Sequence, residues 1–506
     1  MEAPGQPMVP GRPPNVLIVV LDCVRASDFP GGADPVSPMP FVEELRRDAV
    51  EFPCAASVAH WTVPAHATIF TGRYPWEHQV HARGQLQLDP ALPKVGGLLR
   101  TAGYRTLSVS ANGLISPNLG LVDGFQQAAW GTTLFDRVSR HASPPQSLEG
   151  GPNRAAALEH RVRGLSGVAQ WTGVLLARYP GVWDAGTRVA LRFQAGDPPP
   201  RPAMASWLEP TLRRWLSETP ASEPVFCFIN LLDAHEPYLR DAEGLPTAGD
   251  WWRYVRSRQD RMGWVSGDWN PTAQEYGRLH HLYRCAIRDL DGRIREIVEA
   301  FRAVGRWDDT LMILTSDHGQ AFGEHGALFH IQGVDEPELR IPLLYRPPGG
   351  GSGGARSRSW ASLIDLAPTV LRAAGLPSDA LGGAGVPLQD LVEHPRVGAV
   401  LAFSDGLVHA EDRQRAPQAR RAAIDRLLIA AYEGDRKLVY DVASDTARLY
   451  DVRRDSGEAH DLWSSTDAEA ASLLAATRAV AARMAAGATV APSADVEDRL
   501  RSWGYL

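Results

Sequence analysis

Two apolar runs of the sequence are followed directly by acidic and imidazole side chains. The run at 15–21 precedes Asp22, and the run at 309–316 precedes Asp317 and His318. If both runs are strands of one parallel sheet, their carboxyl ends share an edge, and two carboxylates and an imidazole converge there. Such a set suits a divalent cation, and the imidazole shifts the preference towards Mn²⁺, Zn²⁺ or a similar ion. Either acid could instead form a turn or cap a helix.

A third segment, at 57–75, contributes a hydroxyl group. Thr62 stands at or beside the N-cap of a predicted helix at 63–71, with Pro64 in its first turn. One interpretation is a plain capping threonine. The other is that the helix N–H groups and dipole bind an oxyanion towards which the hydroxyl points. A metal that contacts this hydroxyl would make it a nucleophile.

Three histidines are candidates for a proton donor or an oxyanion binder. His235 lies just beyond another apolar run, and His330 comes within reach of Asp317 if the intervening loop folds back. His66 lies one helical turn after Thr62 and is expected to face the same direction. The chain holds 15 histidines, so chance placement is common. We interpret the remaining candidates as structural or surface residues: His60, His78 and His81.

The pattern of apolar runs predicts the fold class. Runs at 15–22, 104–112, 224–233, 309–317 and 340–347 are typical of strands buried on both faces of a parallel sheet. Helical patterns alternate with them at 41–50, 93–102, 207–217 and 276–304. This alternation predicts an α/β protein with a doubly wound, mostly parallel sheet sandwiched by helices. Short strand-like pieces and an alanine-rich helix near 467–486 then predict a small C-terminal α+β subdomain.

We expect a main domain at 14–380 and the C-terminal subdomain at 395–506. Two stretches fit the alternation poorly and are interpreted as insertions, at 126–205 and 245–275. Long insertions become lids or substrate walls, or merely decorate the packing. The tryptophans of the second insertion could contact an apolar part of a substrate or pack a lid onto the core.

Composition excludes several classes of function. The 506 residues, 44% of them hydrophobic, are enough to bury a large core. A net charge of −7, with arginines scattered among acids, gives no basic surface for nucleic acid and no polybasic arm for a membrane. The start lacks a secretory signal and no apolar run reaches about 18 residues, so we expect a cytoplasmic protein with small-molecule partners. The four cysteines lack metal-type spacing and are expected to be reduced. The oligomeric state stays open.

Six segments, in this order and spacing, resemble the sulfatase-like branch of the alkaline phosphatase superfamily: PNVLIVVLDCVRASDF, WTVPAHATIFTGRYPWEH, NLLDAHEPY, LTSDHGQAFGEHG, RIPLLYRPPG and IDLAPTVLRAAGLP. The resemblance covers 14–125 and 207–377 and implies an α/β sandwich with one divalent metal ion, Mn, Zn, Ca or Mg, at the carboxyl edge of the sheet. It implies a small anionic ester as the substrate. By position it assigns the metal ligands Asp22, Asp317 and His318, the nucleophile Thr62 and the catalytic histidines His235 and His330. We further expect Thr62 to be a metal ligand and His66 and Arg25 to bind the substrate.

The sequence departs from the family pattern at two places. Sulfatases carry Cys or Ser in a C/S-x-P-x-R pattern and convert that residue to formylglycine, whereas this chain reads Thr62-Val63-Pro64-Ala65-His66. Threonine does not yield that aldehyde, and the arginine is absent. Cys23 stands where many sulfatases have a second aspartate, which argues for a single-metal site with fewer negative ligands.

Threonine nucleophiles occur in the superfamily's phosphodiesterases, phosphomutases and phosphotransferases. The resemblance therefore implies a metal-dependent hydrolase that cleaves a phosphate or phosphonate ester through a covalent Thr62 intermediate. Three alternatives stay open: a phosphotransferase that uses the same intermediate, a sulfuric ester hydrolase without formylglycine, and a non-catalytic binding protein with the same fold.

Overall fold

A computed structural model of the chain describes residues 13–36, 38–131, 146–147, 207–236, 238, 263–406 and 416–486. These residues include the strands β1 (Asn15–Leu21), β2 (Val50–Glu51), β3 (Ala55–Ala56), β4 (Arg105–Ser110), β5 (Gln127–Trp130), β6 (Gln146–Ser147), β7 (Val225–Leu231), β8 (Thr310–Thr315), β9 (Ala321–Phe322), β10 (Leu328–Phe329), β11 (Leu343–Arg346), β12 (Ala361–Ser362), β13 (Val400–Ser404), β14 (Leu428–Glu433), β15 (Arg436–Asp441) and β16 (Thr446–Asp451). They include the helices α1 (Pro40–Asp48), α2 (Thr62–Thr71), α3 (Pro75–His78), α4 (Val95–Thr101), α5 (Leu208–Glu218), α6 (Ala273–Ala303), α7 (Glu336–Leu339), α8 (Leu366–Ala373), α9 (Leu388–Glu393), α10 (Gln418–Ile424) and α11 (Ala468–Ala486).

Within the described ranges, the large sheet has eight strands in the order β2-β11-β8-β1-β7-β4-β5-β6. Its centre is parallel: β1 pairs with both β7 and β8, and β7 pairs with β4. Every residue of β1 is buried, because alternate side chains enter hydrophobic cores on opposite faces of the sheet. The helices α2, α4 and α8 pack on one face, and α1, α5 and α6 pack on the other. The predicted doubly wound, mostly parallel α/β fold is confirmed.

The structure differs from the sequence prediction at β11, which runs antiparallel to β8 rather than parallel. A parallel partner needs a crossover connection that carries the chain back to the other end of the sheet. Here Leu343, the first residue of β11, pairs with Thr315, the last residue of β8, so β11 begins at the edge where β8 ends. The connection between the two strands therefore stays at the carboxyl edge, where the predicted site residues lie.

Part of the first predicted insertion belongs to the sheet itself. The strand β5 lies within 126–205 and pairs in parallel with β4, and the two-residue β6 closes the sheet as an antiparallel edge. The rest of that insertion, and the second one as far as residue 262, lie outside the described residues, and with them the hypothesis of a lid. In the described remainder of the second insertion, Trp264 is buried beneath the guanidinium of Arg420, which supports a packing role for this tryptophan.

The strands β13 to β16 form a separate four-stranded antiparallel sheet, against which the alanine-rich helix α11 packs. This is the small C-terminal α+β unit predicted from the sequence, although the exact domain boundaries stay a prediction. The unit also supports the main domain, because Phe403 of β13 donates its N–H to Val58 O at 3.0 Å. Val58 lies four residues before Thr62, so the small sheet helps to fix the segment that leads into α2.

Two further features bear on the sequence predictions. None of the helices in the described part of the chain is long and apolar enough to cross a membrane. The four cysteines are free thiols, as predicted, and Cys54 is half-buried while the other three are buried.

Candidate active site

The hydroxyl group of Thr62, the first residue of α2, does not cap that helix. Trp61 occupies the N-cap position with an extended backbone, and no side chain forms a capping hydrogen bond there. Instead, Thr62 Oγ1 lies 3.5 Å from His318 Nε2, and the side chain is buried. The hydroxyl therefore faces the residues at the carboxyl edge of the sheet.

Asp22 follows the last residue of β1 and is completely buried. Its backbone N–H donates to Leu231 O at 2.8 Å, which continues the pairing between β1 and β7. Asp22 Oδ2 accepts hydrogen bonds from Asn112 Nδ2 at 3.0 Å and from Asn230 Nδ2 at 3.5 Å. The two amides fix the orientation of a carboxylate that has no access to water.

Asp317 is held by backbone donors from two loops. Its Oδ1 accepts the N–H of Cys23 at 3.2 Å and the N–H of His318 at 2.9 Å. These bonds leave Oδ2 facing His318 Nε2 at 3.4 Å and His66 Nδ1 at 3.7 Å. The loops that follow β1 and β8 are thus joined through this one carboxylate.

The imidazole of His318 is oriented by the backbone. Its Nδ1 lies 2.9 Å from Gly319 O, and because a carbonyl oxygen only accepts, Nδ1 carries the proton. Nε2 then directs its lone pair towards Thr62 and Asp317, as in a metal-binding histidine whose tautomer is fixed by an outer hydrogen bond. Gly319 is required here because a Cβ would stand 2.0 Å from Pro337 O.

Burial and charge together perturb the acids of this group. Burial raises the pKa of Asp317 from 3.8 to about 7, although the hydrogen bonds from the backbone of Cys23 and His318 lower it. Burial also raises the pKa of Asp22, and the neighbouring carboxylate of Asp317 raises it further. Two carboxylates in one buried site are stable together only with a proton or a cation between them.

A second group of side chains adjoins the first. The rings of His235 and His330 lie 4.9 Å apart, and the rings of His318 and His330 lie 4.8 Å apart. Glu236 contributes Oε2 at 3.6 Å from His235 Nδ1 and at 3.8 Å from His330 Nδ1. Cys23 Sγ completes the group at 3.7 Å from His330 Nδ1. The structure thus brings both predicted catalytic histidines to the same edge as Thr62.

His66 lies beside Thr62, as its helical spacing predicts, and it is completely buried. Its Nδ1 lies 2.8 Å from the backbone carbonyl of Thr62, and its ring packs against Phe70 and Phe228. Burial lowers its pKa from 6.5 to about 3. A neutral ring tied to the helix backbone suits positioning of Thr62, and the substrate contact expected from sequence stays a prediction.

The side chain of Arg25 is held by two acidic residues. Its guanidinium forms ion pairs with Asp28 at 3.0 Å and with Glu324 at 2.8 Å. The side chain lines a cavity of about 430 Å³ between the loop after β1 and residues such as Arg340. Among the described residues, none of the predicted metal ligands lines this cavity. The substrate-binding role expected for Arg25 therefore stays a prediction that these contacts do not support.

The three histidines interpreted as structural or surface residues are all buried. His78 Nε2 contacts Thr68 Oγ1 at 3.1 Å, and His81 Nδ1 contacts Asp405 Oδ2 at 3.1 Å. His60 lies close enough to His318 for the two rings to interact electrostatically. The structural interpretation is the one that these contacts support.

The donor set of the first group fits a divalent cation. Carboxylates of Asp22 and Asp317, the Nε2 atom of His318 and the hydroxyl of Thr62 face one another, and none of these side chains is exposed to solvent. The ligand atoms of Asp22, Cys23 and His318 lie within 4.8 Å of one another. A hard or borderline cation would neutralise the buried carboxylates, as this set of oxygen and nitrogen donors requires.

Three residues of the site were not predicted from the sequence. Asn112 and Asn230 hold Asp22, yet an asparagine near a strand end is too common to single out. Glu236 follows His235 directly in the DAHEPY segment, and this adjacency was the sequence feature that could have indicated its place in the site. Cys23 was noted as a departure from a family pattern, but its position between two groups of possible ligands depends on the turn after β1.

Comparison with known proteins agrees with this architecture. The multifunctional alkaline phosphatase superfamily protein PehA of Trinickia caryophylli is 23% identical over 399 residues, which cover 71% of this chain and 73% of PehA. Steryl-sulfatase of Mus musculus is 25% identical over 432 residues, which cover 73% of this chain and 63% of that enzyme. The crystal structure of the phosphonate monoester hydrolase of Agrobacterium radiobacter aligns with a TM-score of 0.63 at 22% identity, covering 93% and 95% of the two chains.

Fold and site together define a hydrolase of the alkaline phosphatase superfamily. The model of the family described as Sulfatase matches residues 14–376, which is most of the chain. The protein belongs to the sulfatase family.

Proposed function

We propose that this chain is a metal-dependent hydrolase that cleaves a phosphate or phosphonate ester through a covalent intermediate on Thr62. The observation that carries the proposal is the position of Thr62 Oγ1, which does not cap α2 and lies 3.5 Å from His318 Nε2. A hydroxyl at the start of a buried helix, beside two carboxylates and an imidazole, supports a nucleophilic role.

A divalent metal ion would be held by Asp22, Asp317, His318 and Thr62. When bound, such an ion supplies Lewis-acid polarisation and neutralises charge on a transferring phosphoryl group. The protein's own part is to keep the ligands in place: Asn112 and Asn230 orient Asp22, and the backbone orients Asp317 and His318.

The remaining steps of the reaction, which are nucleophilic attack, charge stabilisation and proton transfer, are carried out by residues of the chain. Thr62 releases its hydroxyl proton to water and attacks the phosphorus in line with the leaving oxygen, and the bond to that oxygen breaks as the bond to Thr62 Oγ1 forms. The N–H groups of the first turn of α2 lack partners within the helix and stabilise charge on the equatorial oxygens. The ring of His330 lies 4.8 Å from that of His318 and 4.9 Å from that of His235, and one of His235 and His330 protonates the leaving oxygen. Water then hydrolyses the phosphothreonine.

The relatives support hydrolysis of an anionic ester but divide on its chemistry. PehA is described as multifunctional, the Agrobacterium enzyme as a phosphonate monoester hydrolase, and the mouse relative as a steryl-sulfatase. Thr62 favours phosphorus chemistry, because threonine does not yield the formylglycine on which sulfatases depend. A sulfuric ester hydrolase that uses threonine directly is the second candidate, and a phosphotransferase differs only in the group that accepts phosphorus from Thr62.

A matched set of 4-nitrophenyl esters tests the choice of substrate. We expect kcat/KM for the phosphate or phenylphosphonate ester to exceed that for the sulfate by more than about tenfold. Thr62→Ala should abolish turnover of all three esters, whereas Thr101→Ala, an exposed threonine on α4, should behave as the wild type. A sulfate ester that is hydrolysed fastest would overturn the proposal in favour of the sulfuric ester hydrolase.

A further inference from the structure

We propose that the chain binds a divalent metal ion outside the candidate active site, through His325, Asp335 and Glu458. The ligand atoms of these three side chains lie within 4.8 Å of one another. His325 lies in the loop after β9, Asp335 immediately precedes α7, and Glu458 follows β16 of the small sheet. The three residues lie outside the group around Thr62, so this proposal does not depend on the proposed function.

The side chains of Asp335 and His325 are available to an ion. Asp335 occupies the N-cap position of α7, yet its side chain forms no capping hydrogen bond. Its backbone carbonyl accepts the N–H groups of Glu338 and Leu339, each at 3.0 Å. In a tetrahedral zinc site, two nitrogen or oxygen ligands are separated by about 3.3 Å. Because His325 is exposed, a small inward movement of its ring would complete the set of ligands.

A buried carboxylate next to these ligands is a second, independent indication. Glu338 is completely buried, and in the part of the chain that the structure describes neither of its carboxylate oxygens has a hydrogen-bond partner. Burial raises the pKa of Glu338 well above 4.5, and the negative charges of Asp335 and Glu458 raise it further. The carboxyl group therefore adjoins the proposed ligands. A buried acid of this kind needs either a proton or a nearby cation.

The backbone makes room for this group of acids. A Cβ at Gly333 would stand 2.0 Å from Glu338 Oε2, so only glycine lets the carboxylate lie there. His325 and Glu458 have positive φ angles, +50° and +51°, which residues with a side chain rarely adopt. Such strain persists only where surrounding contacts enforce it.

Among the described residues of this region, acids exceed cations. The acids are Asp335, Glu336, Glu338 and Glu458. Lys437 Nζ lies 2.7 Å from Glu458 Oε1, and Arg340 Nε lies 3.7 Å from Glu336 Oε2. A divalent cation would balance the remaining negative charge. Because Lys437 already pairs with Glu458, we expect this ion to bind more weakly than the ion at Asp22 and Asp317.

The cavity that Arg25 lines gives an ion access to this group. His325, Glu336 and Gly457 are also among the residues that line its volume of about 430 Å³. The cavity leaves room for water as a further ligand. One imidazole with two carboxylates suits Mn²⁺ or Zn²⁺, whereas Mg²⁺ and Ca²⁺ prefer oxygen ligands alone. The bound ion would join the connection that carries His330 to the small sheet.

Counting bound Mn²⁺ by electron paramagnetic resonance tests the site without any assay of turnover. The full chain should bind one ion tightly and a second ion more weakly. His325→Gln and Asp335→Asn should each lose only the weaker ion, whereas Asp22→Asn should lose the tight ion and keep the weaker one. His460→Gln is the matched control, because it removes another exposed imidazole, two residues after Glu458, and it should bind both ions.

Folding of each variant is checked by its circular dichroism spectrum. With metal removed by a chelator, His325→Gln should unfold as the wild type does, because the exposed ring then contributes little to stability. His325→Gln and Asp335→Asn variants that bind Mn²⁺ as the wild type does would overturn the site.

A wild type with a single ion also gives a decision. If that ion is lost in Asp335→Asn and kept in Asp22→Asn, this inference stands and the ion of the proposed function is removed. If the ion is lost only in Asp22→Asn, this inference falls and the proposed function stands. A wild type that binds no Mn²⁺ overturns both metal sites.

Discussion

At the scale of single residues, Asp22 and Asp317 dominate the energetics of the site. Both carboxylates are completely buried, and each raises the free energy of the other in its charged form. The side-chain amides of Asn112 and Asn230 donate hydrogen bonds to Asp22, but these neutral groups do not balance two charges. A cation bound here, as we propose, would therefore stabilise the folded chain by removing this repulsion as well as by forming bonds to its ligands.

Asp22→Asn should separate these two effects. The metal-free variant should unfold at a higher temperature than the metal-free wild type, because one buried charge is gone and the amide keeps the shape of the side chain. Saturating Mn²⁺ or Zn²⁺, at about 100 times the dissociation constant, should stabilise the wild type by about 2.7 kcal/mol and the variant far less. Thermal unfolding followed across a metal titration measures both.

Asp123→Asn is the matched control, because Asp123 is partly exposed and pairs only loosely with Lys94 at 3.7 Å. It should respond to metal as the wild type does. An Asp22→Asn variant that gains as much stability from metal as the wild type would remove Asp22 from the ligand set.

The convergence of the first group at one edge of the sheet could be expected from the sequence for a physical reason. Asp22 and Asp317 follow strands whose apolar runs are unambiguous, and parallel neighbouring strands bring their carboxyl ends together. Glu236 and Cys23 were not predicted as site residues because they lie in turns, where side-chain directions depend on local backbone angles. The positive φ of Cys23 is such an angle, and no pattern of residue types indicates it.

At the scale of elements, α2 and α3 form the support beneath Thr62. All ten residues of α2 are buried, and the helix ends at Gly72 with a φ of +62°. His78, at the end of α3, fixes the two helices to each other, because its Nε2 contacts Thr68 Oγ1 while its Nδ1 accepts the N–H of Val80 at 3.0 Å. Both ring nitrogens are used only when the ring is neutral.

This geometry predicts a specific sensitivity to acid. Burial lowers the pKa of His78 from 6.5 to about 3. Between these two pH values the unfolded chain therefore binds a proton on His78, whereas the folded chain leaves this ring neutral. The resulting stability is present above pH 6.5 and is lost as the pH falls towards 3. Between pH 7 and pH 5, the wild type should lose about 2 kcal/mol more than His78→Gln in its free energy of unfolding. Urea titrations at the two pH values measure the difference.

His325→Gln is the control for that experiment, since His325 is exposed and should leave the pH dependence unchanged. Equal losses in the wild type and in His78→Gln would show that His78 is already charged in the folded protein.

The positions of helices and strands along the chain are the features that the sequence predicts most closely. The long helix α6 at Ala273–Ala303 was predicted at 276–304, and β8 at Thr310–Thr315 was predicted at 309–317. The direction of β11 was not predictable, because its apolar pattern is the same whether it runs parallel or antiparallel. Gln127–Trp130 was missed as a strand because only four residues carry the pattern.

At the scale of the whole molecule, one buried lysine ties the small sheet to the main domain. Lys437 of β15 is completely buried, and its Nζ lies 2.7 Å from Glu458 Oε1 and 3.2 Å from Glu336 Oε1. Glu336 is the first residue of α7, on the connection that also carries His330. The small sheet thereby contacts both this connection and the segment before Thr62. Long-range charge pairs of this kind were beyond prediction, because the partners are about 20 to 100 residues apart.

Lys437→Met should destabilise the protein by about 3 to 5 kcal/mol, because it leaves two buried carboxylates without a cation. Chemical denaturation at pH 7 measures this loss. Arg453→Met is the control, because Arg453 is exposed and pairs with Asp435 at 3.4 Å, so its removal should cost less than about 0.5 kcal/mol. A Lys437→Met variant as stable as this control would show that the small sheet does not depend on the pair.

The covalent role of Thr62 is tested most directly by intact-mass analysis of the protein quenched during turnover of a phosphate ester. The wild type should carry one added phosphoryl group, and peptide mapping should locate it on Thr62. Thr62→Ala should carry no adduct and should not turn over, whereas Thr101→Ala should match the wild type. A wild type that turns over without an adduct, together with an active Thr62→Ala variant, would contradict the account.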